Sequence, residues 1–299
     1  MTHRNALLAI HFGALMFGLS GVFGKLAESP PLLITFGRAL FAVAALALAA
    51  HFLRAAGNRP SWRQRGGLLL GGLLLGGHWL TFFMAVKIAG VGIATLGFAS
   101  FPAFTVLLEG LLFRERTRPV EFAMVGLVCA GLLLVAPDFD FASETTMGLL
   151  YGVLSGLMFA LLSLLNRAVT RGVDPVQAAL WQNGTILLCL LPFTWGSLPA
   201  VPTLDWLWLI LLGVFCTGLA HSLFVASLKV LKARTTAVIF ALEPVYGIAF
   251  AWWLFNEQPT LRMLIGGTLI ILATLITSRL KAPAAGTAPP VAEMPETPR

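Results

Sequence analysis

Charged residues are scarce in this chain of 299 residues: Asp, Glu, Lys and Arg together make up only 11% of it. A soluble domain of this size carries roughly a quarter of its residues as charged ones. The hydrophobic share is 58%, and the mean hydropathy is +0.88. Lipid must therefore cover most of the surface, and the composition predicts a membrane protein.

Cysteine is also sparse, and basic residues form no cluster. The three cysteines all lie in apolar stretches, which argues against a disulfide framework. The net charge is +7, but Lys and Arg stand singly between apolar blocks instead of forming one basic face. This distribution excludes nucleic acid as a partner and leaves the bilayer and a small molecule.

Ten apolar stretches are long enough to cross a hydrocarbon core, which takes roughly 20 residues per helix. The first is too long for the apolar part of a signal peptide and is predicted to be an uncleaved helix. Residues 282–299 are rich in Pro, Ala, Thr and Glu and are predicted to form a disordered cytoplasmic tail. The predicted spans are 5–26, 32–53, 66–86, 91–113, 119–136, 147–168, 175–195, 205–228, 235–255 and 260–280.

The placement of Lys and Arg predicts the orientation. With the N-terminus inside, sixteen of them lie in cytoplasmic segments and three, Lys25, Lys87 and Arg262, lie outside. Both termini are therefore predicted to be cytoplasmic, in a multi-pass protein of the cell inner membrane.

The two halves of the sequence resemble each other at a constant offset. The tripeptide Leu-Met-Phe at 15–17 recurs at 157–159, 142 residues later. A shared offset along the chain indicates duplication, and we expect repeats over 1–141 and 142–281. With five spans in each, the second repeat enters the membrane inverted, an arrangement typical of secondary transporters that work by alternating access. The same offset relates Lys25 to Arg167, Lys87 to Lys229, Pro102 to Pro244, Phe113 to Phe255 and Glu115 to Glu257.

Two matching segments, 113–117 and 255–259, resemble the repeat of the EamA family in the drug/metabolite transporter superfamily. Each places a Glu between the fourth and fifth helices and leads into glycines, and Pro102 and Pro244 match that repeat's mid-helix proline. Within the family, the chain resembles YddG-type amino-acid exporters. The resemblance implies a central cavity lined by the first four helices of each repeat, with the fifth at the periphery. It also implies export of amino acids, including aromatic and other neutral ones, and of related small metabolites.

Polar side chains deep inside apolar spans are functional candidates, because a polar group in hydrocarbon must face protein or water. His78 in span 3 and His221 in span 8 lie at depths related by the inversion. Two interpretations remain open for them: hydrogen bonds between helices, or contact with substrate in a cavity. The full set of candidate substrate-binding residues is His78, Phe82, Phe101, Arg38, Trp181, Gln182 and His221.

Arg38 lies several residues inside span 2, where it either snorkels to the interface or supplies a cation for a substrate carboxylate. Trp181 and Gln182 occupy the aligned position of span 7, so the cavity would be chemically asymmetric. Phe82 shares the helix face of His78, and Phe101 adjoins the first proline.

Glu243 is predicted to lie near mid-membrane and is the candidate proton-coupling residue, although pairing with a nearby base or with freed backbone remains open. Pro102 and Pro244 interrupt spans 4 and 9 and are candidate hinges. Glu115 and Glu257 precede spans 5 and 10, where negative charge complements a helix N-terminus.

Other classes of function find little support. The sequence has no His-Glu-x-x-His zinc motif and no Gly-x-Ser-x-Gly nucleophile elbow, so an intramembrane enzyme is disfavoured. No metal site or cofactor is expected, and we expect a monomer. Drugs, purines or other metabolites remain alternative substrates, while a phosphorylated substrate would call for more cations than Arg38.

Overall fold

The computed structural model describes residues 2–52, 60–113, 118–135, 140, 142–170, 172–220, 222–223, 227, 230–231, 239 and 242–279. Within these ranges the chain is helical and contains no strand, which confirms the all-helical prediction. The helices are α1 (His3–Leu26), α2 (Pro31–Phe52), α3 (Trp62–Phe98), α4 (Phe101–Leu112), α5 (Pro119–Val135), α6 (Glu144–Val169), α7 (Pro175–Thr194), α8 (Thr203–Ile210), α9 (Glu243–Phe255) and α10 (Leu261–Arg279). A 3₁₀ segment (Trp195–Ala200) follows α7, and a π-helical segment (Leu211–Leu219) continues α8.

By length and composition, five helical segments in the described part of the chain can cross a membrane: those beginning at His3, Pro31, Trp62, Glu144 and Pro175. Each predicted span contains a described helix. The candidate His221, Glu115 and the predicted tail 282–299 lie outside the described residues.

Polar residues fix where several helices begin. Ser61 and Gln64 form a capping box at α3, in which each side chain bonds the backbone N–H of the other. Asp174 accepts from the N–H groups of Val176 and Gln177 at the start of α7. These side chains satisfy N–H groups that have no partner inside a helix.

The predicted spans 3 and 4 meet at a single residue. Gly90 has φ 83° and ψ 172°, a conformation nearly confined to glycine, and it reverses the chain between residues 62–89 and 91–98 of α3. The two limbs of α3 pack against each other without a longer loop, since the ring centroids of Phe82 and Phe98 lie 6.1 Å apart.

Span 4 is not one continuous helix. The helix stops at Phe98 and restarts as α4 at Phe101, with Pro102 in the first turn of α4. Pro244 likewise lies in the first turn of α9. A proline in the first turn removes an N–H that would lack a partner anyway.

Close approach of glycines packs α6 against α3. Gly148, Gly152 and Gly156 lie one turn apart on α6, and each faces α3 or the break after it. A Cβ added at Gly152 would lie 2.9 Å from the carbonyl oxygen of Ala94 and 3.0 Å from the Cα of Gly97. Such spacing lets two backbones approach closely.

Helices α5 and α10 pack mainly against each other. A Cβ at Gly131 would lie 2.7 Å from the carbonyl oxygen of Gly266, and a Cβ at Gly266 would lie 2.5 Å from that of Gly131. Helix α10 nevertheless contributes Ile270, Ile271 and Thr274 to the central cavity. The expectation that only the first four helices of each half line the cavity therefore needs correction.

Candidate functional site

The helices surround one cavity of about 610 Å³, which is within the size range of small-molecule sites. Its wall is mainly apolar, with a few polar side chains from different helices. Of the predicted site residues, the cavity wall includes Arg38, His78, Phe82, Phe101, Pro102, Gln182, Glu243 and Pro244.

Arg38 is held inside the bundle and is only 4% exposed. Its guanidinium carbon lies 4.1 Å from the ring centroid of Trp79, and Nε donates to the hydroxyl of Thr217 at 2.9 Å. A guanidinium stacked on an aromatic face gains cation–π attraction and keeps its planar fork in one orientation. Arg38 thus faces the cavity and does not snorkel to the interface.

His78 contacts a neighbouring helix and the cavity at once. Its Nδ1 lies 2.7 Å from the hydroxyl and 3.3 Å from the carbonyl oxygen of Ser155, whose hydroxyl donates to the His78 carbonyl. A carbonyl oxygen only accepts, so Nδ1 carries a proton, and in a neutral ring Nε2 is left as an acceptor. The two interpretations from the sequence are therefore compatible.

Aromatic rings form a continuous cluster beside His78. Phe98 lies 5.0 Å from His78, 5.3 Å from Phe101 and 5.4 Å from Phe159, measured between ring centroids. Phe82 lies 6.1 Å from Phe98. We call these five residues (His78, Phe82, Phe98, Phe101 and Phe159) the aromatic cluster; all of them line the cavity.

Amide side chains line another part of the wall. Gln182 donates to Asn166 Oδ1 at 2.7 Å, and Asn183 Nδ2 donates to the carbonyl of Ala179. Asn183 Oδ1 is buried and has no hydrogen-bond partner within the described structure. This unsatisfied acceptor adds a polar position to the cavity.

Two of the predicted substrate-binding residues are not among the described residues that line the cavity. Trp181 is described, but it is 37% exposed and is not a lining residue, because the next residue, Gln182, takes the inward position on α7. His221 lies outside the described residues.

At one end of the bundle, contacts join segments that are distant in sequence; we call it the Lys25 end. Lys25 forms an ion pair with Glu257 and lies over the ring of Phe255. The carboxylate of Asp205 accepts from the N–H groups of Glu28 and Ser29 and from the Ser29 hydroxyl.

The position of Glu257 corrects a prediction. Its carboxylate accepts from the N–H groups of Val91 and Gly92, so it complements the start of the second limb of α3 rather than that of α10. At α10, the hydroxyl of Thr260 accepts from the N–H of Met263 and supplies the cap instead.

Several residues that line or support the cavity did not emerge from the sequence. Ser155, Trp79 and Thr217 position His78 and Arg38, and nothing in their local pattern distinguishes them from packing residues. Phe159 carried a usable signal, because it ends the repeated Leu-Met-Phe tripeptide, and its counterpart Phe17 also lines the cavity.

Membrane-length apolar helices around a partly polar cavity define a multi-pass membrane protein. Residues 4–136 and 146–279 each match the EamA-like transporter family. The chain therefore belongs to that family, whose members are transporters and not enzymes.

Proteins of similar sequence agree with this membership. An uncharacterized transporter of Archaeoglobus fulgidus is 28% identical over 91% of this chain and 95% of its own. The "Pseudopaline exporter CntI" of Pseudomonas aeruginosa is 26% identical over 60% of this chain and 63% of its own. A "Probable terminal-alkyne amino-acid exporter" of Streptantibioticus cattleyicolor is 30% identical over 63% of this chain and 64% of its own.

A solved crystal structure shares the fold. It superposes with a TM-score of 0.65 at 21% identity, covering 92% of this chain and 97% of its own.

Proposed function

We propose that this protein is a secondary transporter that exports amino acids, aromatic and other neutral ones among them, and related small metabolites. The observation that carries the proposal is that a buried Arg38 and the aromatic cluster face the same cavity. A guanidinium suits a carboxylate, and stacked rings suit an apolar side chain. Two relatives named as exporters, one of them for an amino acid, favour the direction and the class of substrate.

The proposed architecture consists of ten spans in two inverted repeats, 1–141 and 142–281, with both termini cytoplasmic in the inner membrane. Paired contacts support the inversion: Lys25 lies 4.8 Å from the centroid of Phe255, and Arg167 lies 5.0 Å from that of Phe113. Each cation contacts a ring of the other half. The offset of 142 residues relates Lys25 to Arg167 and Phe113 to Phe255, so the two contacts are equivalent under the repeat.

Alternating access would then exchange closure between the two ends of the cavity. Pro102 and Pro244 are the proposed hinges, because each lies in the first turn of a helix that borders the cavity. Within this proposal Glu243 couples transport to protons, and His221 and Gln182 remain substrate-binding candidates. The YddG-type amino-acid exporters are the group we propose as functionally most similar.

Uptake into proteoliposomes tests the proposal directly. Purified protein is reconstituted, and uptake of a labelled amino-acid panel is measured with and without a pH gradient. We expect uptake of several neutral amino acids, reduced in His78→Ala but unchanged in Leu188→Ala, whose side chain is 71% exposed on the outer surface. Sensitivity to the gradient that is lost in Glu243→Gln would support proton coupling.

Absence of uptake for every amino acid under every gradient would overturn the substrate assignment. Drugs and purines would then be tested in the same vesicles. Equal loss of uptake in His78→Ala and Leu188→Ala would show that the loss does not come from contact between His78 and the substrate.

A further inference from the structure

The cavity contains two buried groups of opposite charge that do not pair with each other. Arg38 and Glu243 both line it, on α2 and at the start of α9, yet no salt bridge joins them. Among the described lining residues, Arg38 is the one Arg or Lys and Glu243 is the one Asp or Glu.

Neither of these charges forms a salt bridge within 4 Å in the described structure. Arg38 uses Nε to bond Thr217, while its other N–H groups have no acceptor among the described residues. Glu243 has neither a hydrogen bond nor an ion pair there. An unpaired charge away from water is costly, so a ligand that supplies both counterions would be favoured over one that supplies a single charge.

The surface around these charges is apolar and aromatic. The aromatic cluster lines the same cavity, with neighbouring ring centroids 5.0 to 6.4 Å apart. Such a wall accommodates a ring or a large aliphatic group by burial and by edge or face contacts. It offers no third charge to a charged side chain.

We propose that Arg38 and Glu243 form the two ends of one zwitterion site. Arg38 binds the α-carboxylate, Glu243 binds the α-ammonium, and the ligand's side chain lies against the aromatic cluster. This inference rests on the proposed function and deepens it: the substrates are neutral α-amino acids with large apolar side chains. Amines without a carboxylate and acids without an ammonium bind more weakly, because either leaves one buried charge unpaired.

Direct binding to the purified, detergent-solubilised full chain tests this site without requiring transport. The probes for calorimetry are L-phenylalanine, 3-phenylpropionate, which lacks the ammonium, and phenethylamine, which lacks the carboxylate. In the wild type we expect phenylalanine to bind roughly ten- to a hundredfold more tightly than either analogue, as loss of a charge-assisted bond implies.

Glu243→Gln should weaken phenylalanine binding by a similar factor and leave 3-phenylpropionate within about twofold of its wild-type affinity. Arg38→Gln should do the reverse, weakening phenylalanine while sparing phenethylamine. Glu144→Gln is the matched control, since that carboxylate is exposed at the start of α6, and it should change nothing. If Arg38→Gln does not fold, Arg38→Lys tests the same end, because it retains the charge but lacks the planar fork.

If Glu243→Gln still bound phenylalanine as much more tightly than 3-phenylpropionate as the wild type does, the inference would be overturned, because Glu243 would then not contact the ammonium. The inference would also be overturned if Glu243→Gln lost gradient-driven uptake but kept the wild-type difference in affinity between the two ligands. Glu243 would then take part in proton coupling and not in binding the ammonium. Failure of the proposed function looks different: the wild type then binds and transports no amino acid.

Discussion

At the scale of single residues, the cavity depends on side chains that are positioned by a second residue. The imidazole of His78 is fixed by Ser155, whose hydroxyl accepts a hydrogen bond from Nδ1 and donates one to the His78 carbonyl. Arg38 is fixed by Trp79 and Thr217. Orientation rather than presence decides whether these groups can contact a ligand, since hydrogen bonding depends steeply on angle.

Ser155→Ala should therefore impair transport without unfolding the protein. The variant removes the hydroxyl, the nearer of the two Ser155 acceptors of Nδ1, and leaves only the more distant carbonyl. We expect KM to rise about three- to tenfold, as loss of roughly 1 kcal/mol implies. Uptake kinetics in proteoliposomes measure it. Ser222→Ala is the control, because that hydroxyl bonds only the carbonyl of Gly218 in its own helix. An unchanged KM in Ser155→Ala would show that the ring needs no such support.

At the scale of helices, small residues decide where elements can approach. Gly152→Val would place its Cβ 2.9 Å from the Ala94 carbonyl and add two methyl groups against α3. We expect a marked fall in the temperature of unfolding, because two packed backbones cannot yield to a side chain. Thermal unfolding in detergent measures this fall. Gly184→Val has no atom within 4 Å of its added Cβ and should shift the temperature much less.

The reversal at Gly90 combines strain with a close contact. Gly90→Ala would force a side chain into a conformation that costs about 1–3 kcal/mol and bring its Cβ within 2.9 Å of the Glu257 carboxylate. Gly172→Ala also changes a glycine of positive φ, 77°, but has no neighbour within 4 Å of its added Cβ and so lacks the contact. We expect a larger loss of thermal stability in Gly90→Ala, and an equal or smaller loss would contradict this expectation.

The helices themselves were largely predictable, because runs of apolar residues and caps such as Ser61 and Asp174 are local signals. The break at Ala99 and Ser100 was not placed correctly, since Pro102 marks a break only within a turn or so. Ser155 was not predictable at all. Its importance comes from contact with a residue 77 positions away, which one sequence without relatives does not reveal.

At the scale of the whole molecule, the ion pair between Lys25 and Glu257 links α1 to the segment before α10. We expect this pair to keep the Lys25 end closed. The carboxylate also caps the second limb of α3. Glu257→Gln retains an oxygen for those N–H groups and removes the charge that Lys25 needs. The variant therefore weakens the closure while leaving the α3 cap in place.

We expect this variant to open the Lys25 end more often. A cysteine replacing Val91, which is fully buried there, should react faster with a maleimide after Cys129, Cys189 and Cys216 are replaced by serine. Glu109→Gln breaks the pair of Arg167 with Glu109 instead, and should not accelerate labelling of that cysteine. The contrast matters because a general loosening of the bundle would raise labelling in both variants. Faster labelling in Glu257→Gln alone would mean that closure at this end depends on one charge pair between the two halves.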